Sequence, residues 1–156
     1  MGITNNKIIK VEGKVEEASQ IILIDSGSTH NFLDEGTARR LKCPLMGTPA
    51  LSVIVANGNP VISNSACLGF IWEMQEEKFE ATDLRLLQLG GCDVVLGVDW
   101  IKGVSPISFD FNRMEVSFEK RGRRMTLTRG KEVATCKMIT RKRLRRVLQS
   151  NWSQLT

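Results

Sequence analysis

The chain contains, at residues 21–32, the stretch IILIDSGSTHNF, in which four apolar residues run directly into an aspartate. The run Ile21 to Ile24 has no helical spacing, and a short apolar run of this kind predicts a buried strand. Asp25 then stands at the end of a core strand, where loss of solvation disfavours the ionised carboxylate. Gly27 lets the backbone turn tightly and approach a ligand closely because it has no Cβ. The stretch therefore predicts a carboxylate that is placed for proton transfer.

The residues that surround Gly27 admit two interpretations. Asp, Ser and Gly are ordinary turn residues, so a strand that ends in D-S-G can mark no more than a loop. Alternatively, the hydroxyls of Ser26 and Ser28 donate hydrogen bonds that hold Asp25 in place and favour its ionised form. The buried run before the aspartate, Thr29 after it and two further segments described below favour the second interpretation.

The length and the cysteine pattern exclude several classes of protein. At 156 residues the chain has the length of one domain and can bury a core of its own. Its four cysteines lie far apart with no C-x-x-C pair, and His30 is the only histidine, so a zinc site is not expected. Met1 is followed by polar and charged residues, and no stretch approaches transmembrane length. We expect an intracellular protein with free thiols, no metal, no cofactor and no membrane span.

The positive net charge is confined to the end of the chain. Residues 131–156 carry a net charge of +6, whereas residues 1–130 carry −1. Arg141 to Leu155 places apolar residues on one helical face and arginines on the other, which predicts a basic amphipathic helix. Weak contact with nucleic acid, a membrane surface or a docking face could each use such a helix. A solvated linker is the alternative that we favour.

Period-two alternation and turn residues predict a mainly β domain with many short strands. Asn57-Gly58 directly follows a β-branched apolar run, which is the strongest short signal for a hairpin. Asn31 to Leu41 suits a short helix or turn that ends before Pro44. Other strands are predicted at Ile8 to Val15, Leu51 to Ala56, Val61 to Met74, Lys78 to Leu89 and Cys92 to Gly97. One helical turn is predicted at Val98 to Lys102. Two hairpins are predicted from the strands Pro106 to Phe111, Met114 to Phe118 and Arg124 to Thr128.

Three segments in a fixed order carry a resemblance to a known family: DSGST at 25–29, the hairpin with its NG tip, and VVLG at 94–97. This order resembles the retroviral-type, retropepsin-like aspartic proteases. The fuller strings DSGSTHNF, VANG, GCDVVLG and PISFDF are similar to the protease region of plant-like gypsy-type LTR retrotransposon polyproteins. The resemblance covers residues 20–130, so residues 1–19 are expected to form an extension with a first strand and residues 131–156 a basic linker or tail.

The resemblance implies a fold, a reaction and a set of site residues. The fold would be the single-lobe closed barrel of acid proteases, and the activity would be that of an aspartic endopeptidase that cleaves polypeptides without a cofactor. Two carboxylates must share one proton in this chemistry, and the sequence has no second D-[ST]-G. An isologous homodimer would therefore bring two copies of Asp25 face to face. The implied residues are Asp25, Ser26, Gly27 and Ser28 in the catalytic loop, Thr29, Leu96 and Gly97 as its support, and Val55, Ala56, Asn57 and Gly58 in a flap over the substrate.

Two other interpretations stay open at this point. Retroelement fragments can keep the fold and lose activity, so a catalytically silent dimerisation or binding module is the alternative function. Asp99 could be a second acid, but its place within the helical turn predicted at Val98 to Lys102 favours a carboxylate in the first turn of a helix. His30 could be a base, although a lone histidine in a loop is more often a structural polar residue.

Overall fold

The structure, a computed structural model, describes residues 8–54 and 60–129. These residues form twelve strands and two short helices, which confirms the mainly β prediction. The strands are β1 (Ile8–Val15), β2 (Ala18–Asp25), β3 (Asn31–Asp34), β4 (Leu45–Ile54), β5 (Pro60–Cys67), β6 (Phe70–Met74), β7 (Glu77–Ala81), β8 (Leu84–Leu87), β9 (Val94–Leu96), β10 (Ser108–Asp110), β11 (Glu115–Lys120) and β12 (Arg123–Thr128), and the helices are α1 (Glu35–Arg40) and α2 (Val98–Val104).

The strands form two sheets, and the larger one does not close into a barrel. Its nine strands lie in the order β4-β5-β8-β3-β9-β2-β1-β6-β7, so β4 and β7 are its edges. The three-stranded sheet β10-β11-β12 lies beside the β7 end, where Arg123 forms an ion pair with Glu77 at 2.9 Å and Phe118 meets Phe79 edge to face. The expected closed barrel is wrong for the described residues, because this second sheet covers the β7 end while β4 belongs to a separate hairpin.

Two apolar clusters form the core, one on each side of the sheet around β2, β3 and β9. The larger cluster contains an aromatic group in which Phe79, Trp100 and Phe118 meet at tilted or edge-on angles with ring centroids 5.6–6.1 Å apart. Such tilted and edge-on pairs are favoured by the charge distribution of aromatic rings. The smaller cluster packs Leu51 and Val53 of β4 against residues that include Leu23 of β2 and Phe32 of β3. The hairpin that begins at β4 therefore covers the strands that lead into and out of the Asp25 loop.

Several predicted elements differ from the structure in their extent. The segment predicted as a short helix or turn begins with strand β3, because Asn31–Asp34 pairs with both β8 and β9 before α1 starts. The long strand predicted from Val61 is divided near Gly69, whose φ of 72° suits glycine and ends the extended run. The strand predicted from Lys78 is divided into β7 and β8, and α2 continues past Gly103 to Val104.

The predicted hairpin is confirmed in its two arms. β4 and β5 pair antiparallel up to Ile54 and Pro60, with a register shift between Gly47 and Leu51. The tip, which contains Asn57-Gly58, and the basic tail with its predicted helix lie outside the described residues.

Candidate active site

The frame of the site is a set of three adjacent strands. β9 lies between β2 and β3, parallel to β2 with Ile24 opposite Leu96 and antiparallel to β3 with Phe32 opposite Val95. β9 is buried throughout, β3 is buried up to Leu33, and β2 is buried from Ile22 to Asp25, as the apolar runs in these strands predict. Asp25 and Gly97 therefore leave neighbouring parallel strands side by side.

Asp25 lies at the end of β2 with no exposed surface, as the sequence predicted. Its Oδ1 accepts a hydrogen bond of 2.8 Å from the backbone N–H of Gly27. Its carbonyl accepts a second bond, of 3.2 Å, from the N–H of Ser28, which closes a tight turn. Ser26 and Gly27 are partly exposed at the rim of this turn. The buried carboxylate of Asp25 thus lies next to Ser26 and Gly27, which a ligand can reach from the solvent.

Gly97 is the point at which the Asp25 loop crosses the next strand. The N–H of Val98 donates to the carbonyl of Ser28 at 2.7 Å. A Cβ at position 97 would lie 2.6 Å from the carbonyl oxygen of His30 and closer still to that of Ser28. Real Cβ atoms do not approach backbone this closely, so only glycine fits without moving the loop. The supporting role expected of Gly97 has a geometric basis in this crossing.

The hydroxyl of Ser28 does not have the partner that the sequence suggested. Ser28 is buried, and its Oγ donates a 2.7 Å hydrogen bond to the carbonyl of His30. A hydroxyl has one proton to donate, so this proton is not available to Asp25. The expectation that Ser28 stabilises the ionised form of Asp25 is therefore replaced by a role in holding the loop.

We expect Ser28→Ala to lower the free energy of unfolding by about 1–2 kcal/mol, because it removes the donor of a partly buried hydrogen bond. The acidic limb of the pH–activity profile, which reports the ionisation of Asp25, should not move. The hydroxyl proton that the substitution removes was not donated to that carboxylate. Denaturant titration measures the first effect and a pH profile the second. Ser108→Ala, at an exposed site on β10, is the matched control. A shifted acidic limb with unchanged stability would contradict this assignment.

Asn31 is a site residue that the sequence analysis missed. It is 7% exposed, and its Oδ1 accepts a 2.8 Å hydrogen bond from the N–H of Gly97. The loop from Asp25 to Asn31 is thus joined to the β9–α2 connection by two bonds, one to each of Gly97 and Val98. An amide side chain placed directly after the loop and before an apolar run was the signal that could have indicated it.

A second polar cluster lies at the opposite end of the same strands. Asp93 accepts a 2.8 Å bond from the N–H of Ile21 and a further bond from the hydroxyl of Thr37. Asp34 caps the N-terminus of α1 and accepts a 2.9 Å bond from the N–H of Leu89. These carboxylates join β2 at Ile21 to α1 and are structural, because each is satisfied by neighbouring protein donors.

His30 lies inside the loop from Asp25 to Asn31, and Asp99 lies beside this loop in α2. His30 is half-buried, and its Nδ1 is 3.0 Å from the hydroxyl of Thr29. Burial lowers the pKa of His30 below its usual value; Asp99 and Asp83 oppose this shift, and Arg85 adds to it. The ring therefore stays neutral to a lower pH than an exposed histidine. Asp99 stands in the first turn of α2, as predicted.

The structure brings together seven of the eleven residues named from the sequence. Asp25, Gly27, Ser28 and Gly97 are joined by the contacts above, while Thr29 lies in the loop and Leu96 beneath it. Ser26 lies in the same turn. The expected flap residues Val55, Ala56, Asn57 and Gly58 lie outside the described residues.

Neither a cluster of metal-ligating side chains nor a membrane-spanning helix occurs in the described residues. Within them, no group of three or more side chains of the metal-binding types is assembled. None of the helices found there is long and apolar enough to cross a bilayer.

Comparison with known proteins identifies the fold. The crystal structure of the retroviral protease-like domain of Ddi1 from Leishmania major matches with a TM-score of 0.56 over 78% of this chain and 93% of that chain. The two sequences are 10% identical, so this likeness shows a shared retropepsin-like fold alone. Among curated proteins, none has a sequence that matches significantly.

The family follows from a match to the sequence itself. Residues 21–126 match the PEG10/RTL1 protease domain, and this range runs from the first apolar residue before Asp25 into β12. The matched range includes the Asp25 loop, both arms of the hairpin and the Gly97 crossing. Because it spans more than half of the chain, the protein belongs to the PEG10/RTL1 protease domain family, whose members are retroviral-type, aspartic protease-like domains.

Proposed function

We propose that this protein is an aspartic endopeptidase whose active site forms when two copies of the chain bring their Asp25 side chains together. The observation that carries the proposal is the position of Asp25, buried at the end of β2 and bonded to the N–H of Gly27. The sequence holds a single D-[ST]-G, so the second carboxylate has to come from a second chain. Membership in a protease-like family supports the proposal, although that family also includes inactive members.

In the proposed reaction the two carboxylates share one proton and divide the work between them. The ionised Asp25 removes a proton from a water molecule, whose oxygen forms a bond to the carbonyl carbon of the substrate. The protonated Asp25 donates its proton to the carbonyl oxygen, which gives a tetrahedral intermediate. The C–N bond then breaks as the Asp25 that took the proton from water passes it to the departing amine. The other Asp25 takes a proton from a hydroxyl of the intermediate, so one acid and one amine product leave and the dyad again holds one proton. Each step is a proton transfer by a positioned group.

We further propose that the β4–β5 hairpin acts as a flap over a bound polypeptide. Its arms cover the strands on either side of the Asp25 loop through Leu51 and Val53. Closure of such a hairpin would exclude water from the reacting atoms. The substrate class that fits the resemblance to gypsy-type elements is a retroelement polyprotein, cut at extended peptide segments.

The dimer requirement predicts that specific activity rises with protein concentration. At concentrations below the dimer dissociation constant most chains are single, so activity should increase with more than the first power of concentration. Cleavage of a fluorogenic peptide, measured beside the mass in solution by sedimentation, tests this. Two copies joined by a flexible Gly/Ser linker should lose the concentration dependence, because the second chain is then held at high effective concentration.

The joined dimer also provides the decisive control. Asn in place of Asp25 in one copy should abolish cleavage in the whole molecule, since the remaining carboxylate has no partner. Cleavage that is linear in concentration from a species shown to be monomeric would defeat the shared site. Stable dimers that cleave no peptide at any pH would instead indicate a catalytically silent binding module.

A further inference from the structure

The β4–β5 hairpin is joined to the body of the domain by few backbone bonds. β4 is an edge strand that pairs with β5. In the described residues, β5 pairs with the body only through β8, and the register contains two residue pairs, Ala66 with Arg85 and Cys67 with Leu84. The rest of β5, from Pro60 to Ser65, extends past this short ladder. The angle at which the hairpin leaves the body is therefore not fixed by the sheet alone.

Arg85 supplies a direct link from the body to the outer strand. Its Nη1 donates a 2.7 Å hydrogen bond to the hydroxyl of Thr48, and its Nη2 donates a 2.7 Å bond to the carbonyl of Pro49. Since β5 lies between β8 and β4, the side chain reaches across a whole strand. The residue opposite Arg85 on β5 is Ala66, which is small enough to let the side chain pass.

The acceptors of Arg85 lie where β4 departs from regular pairing. Gly47 is opposite Ser65 and Leu51 is opposite Ser63, so β4 has two more residues than β5 in this interval. Pro49 within it has no N–H to donate to a ladder. An irregular segment of this kind bends its strand and leaves backbone groups to be satisfied by other donors. Arg85 meets part of that need with two bonds from a charged group, which are stronger than neutral ones.

The guanidinium also lies within electrostatic reach of the Asp25 loop. After burial and the opposing effect of Asp99, the charge of Arg85 is a further cause that lowers the pKa of His30. Arg85 is thus near the loop on one side and bonded to the base of the hairpin on the other.

We infer that Arg85 is a positioning residue, which fixes the base of the β4–β5 hairpin relative to the Asp25 loop by holding the irregular segment at Thr48 and Pro49. Its importance for cleavage rests on the proposed function, in which this hairpin is the flap. The effect of Arg85 on the position of the hairpin does not depend on that function.

Hydrogen exchange in the full-length chain tests the inference without reference to activity. Arg85→Met keeps the apolar stem and removes both bonds. Backbone amides of β4 and β5 should then exchange about tenfold faster or more, the factor expected from loss of a hydrogen bond to a charged group. Amides of β2 and β9 should be unchanged. Arg113→Met, at an exposed position in the β10–β11 turn, should exchange as the wild type does.

Arg85→Lys keeps the charge but cannot form the forked pair of bonds, so the hairpin should exchange at an intermediate rate. If Arg85→Met does not melt cooperatively, the exchange rates of the β4 and β5 amides in Arg85→Lys decide the test instead. Hairpin exchange at the wild-type rate in the folded variant overturns the inference, whatever happens to cleavage.

Peptide cleavage gives the second measurement. A loosened flap should raise KM about tenfold with kcat nearly unchanged, the pattern of a lost binding contribution. A fall in kcat with an unchanged KM would overturn the positioning role. A wild-type protein that cleaves nothing, combined with faster hairpin exchange in Arg85→Met, would defeat the proposed function and support the inference about Arg85.

Discussion

Asn in place of Asp25 should reduce peptide cleavage by about a hundredfold or more while the domain stays folded. The amide is nearly the same size as the carboxylate, and its oxygen can still accept the bond from the N–H of Gly27 that holds the turn. It cannot take a proton from water at any working pH, so the step that generates the nucleophile is lost. The measurement is kcat/KM for a fluorogenic peptide, beside a thermal melt of each protein.

Asp110→Asn is the matched control for this substitution. Asp110 accepts two backbone bonds, of 3.0 and 3.1 Å from Asn112 and Arg113, in a turn on the surface. Asparagine can accept both, so activity and melting temperature should be nearly unchanged. Cleavage at the wild-type rate in purified Asp25→Asn would exclude Asp25 as the catalytic acid and base. An equal loss in Asp110→Asn would show that the assay reports stability rather than chemistry.

Alanine at position 97 should be the most damaging single methyl group in the described part of the chain. Its Cβ would contact two backbone carbonyls of the Asp25 loop, those of Ser28 and His30. Backbone cannot rotate out of the way as a side chain can, so the loop or the α2 connection has to move. We expect a loss of about 3 kcal/mol of stability or more, at the upper end for overpacking. Denaturant unfolding measures the loss.

Gly103→Ala adds the same methyl group where it meets nothing within 4 Å. Position 103 lies inside α2, where alanine is favoured over glycine by about 1 kcal/mol. The control should therefore be neutral or more stable than the wild type. If Gly97→Ala is as stable as Gly103→Ala, the loop does not cross position 97 as described, and the supporting role of Gly97 has to be abandoned.

The local signals of the sequence were sufficient for most strands and for the position of Asp25. The apolar runs that end at Ile24 and Leu96 are nearly featureless, which is typical of strands buried on both faces. The Asn-Gly dipeptide predicted a hairpin whose two arms the structure contains. Each of these signals depends only on residues within a few positions of one another.

Features that depend on distant parts of the chain could not be predicted in this way. Asn31–Asp34 is extended because β8 and β9 supply partners on both sides, and nothing within the segment announces them. The larger sheet stays open because of where the β10-β11-β12 sheet packs. Neither the hydrophobic period nor the β-propensity of the strands encodes this packing. The resemblance suggested a barrel because it concerns the segments around Asp25 and Gly97 and not the strands at the edges.

Side-chain direction was the other limit. Ser28 was correctly placed near Asp25, but its hydroxyl is turned to the carbonyl of His30. Arg85 gave no signal at all, since one arginine in a strand is most often a solvated residue. Its bonds to Thr48 and Pro49 depend on the strand order, which only the folded chain defines.

The place of β9 between β2 and β3 also determines when the loop can be assembled during synthesis. The strands on either side of Asp25 are neighbours in sequence, yet each needs residues 94–96 as its hydrogen-bonding partner. Contacts between such distant residues form late, because the intervening chain must first be synthesised and the entropic cost of closing it into a loop must be overcome. A nascent chain that ends before Gly97 has Asp25 and the tight turn after it, but it lacks the bonds from the N–H groups of Gly97 and Val98 that hold the loop. The carboxylate therefore acquires its setting only after most of the domain has left the ribosome.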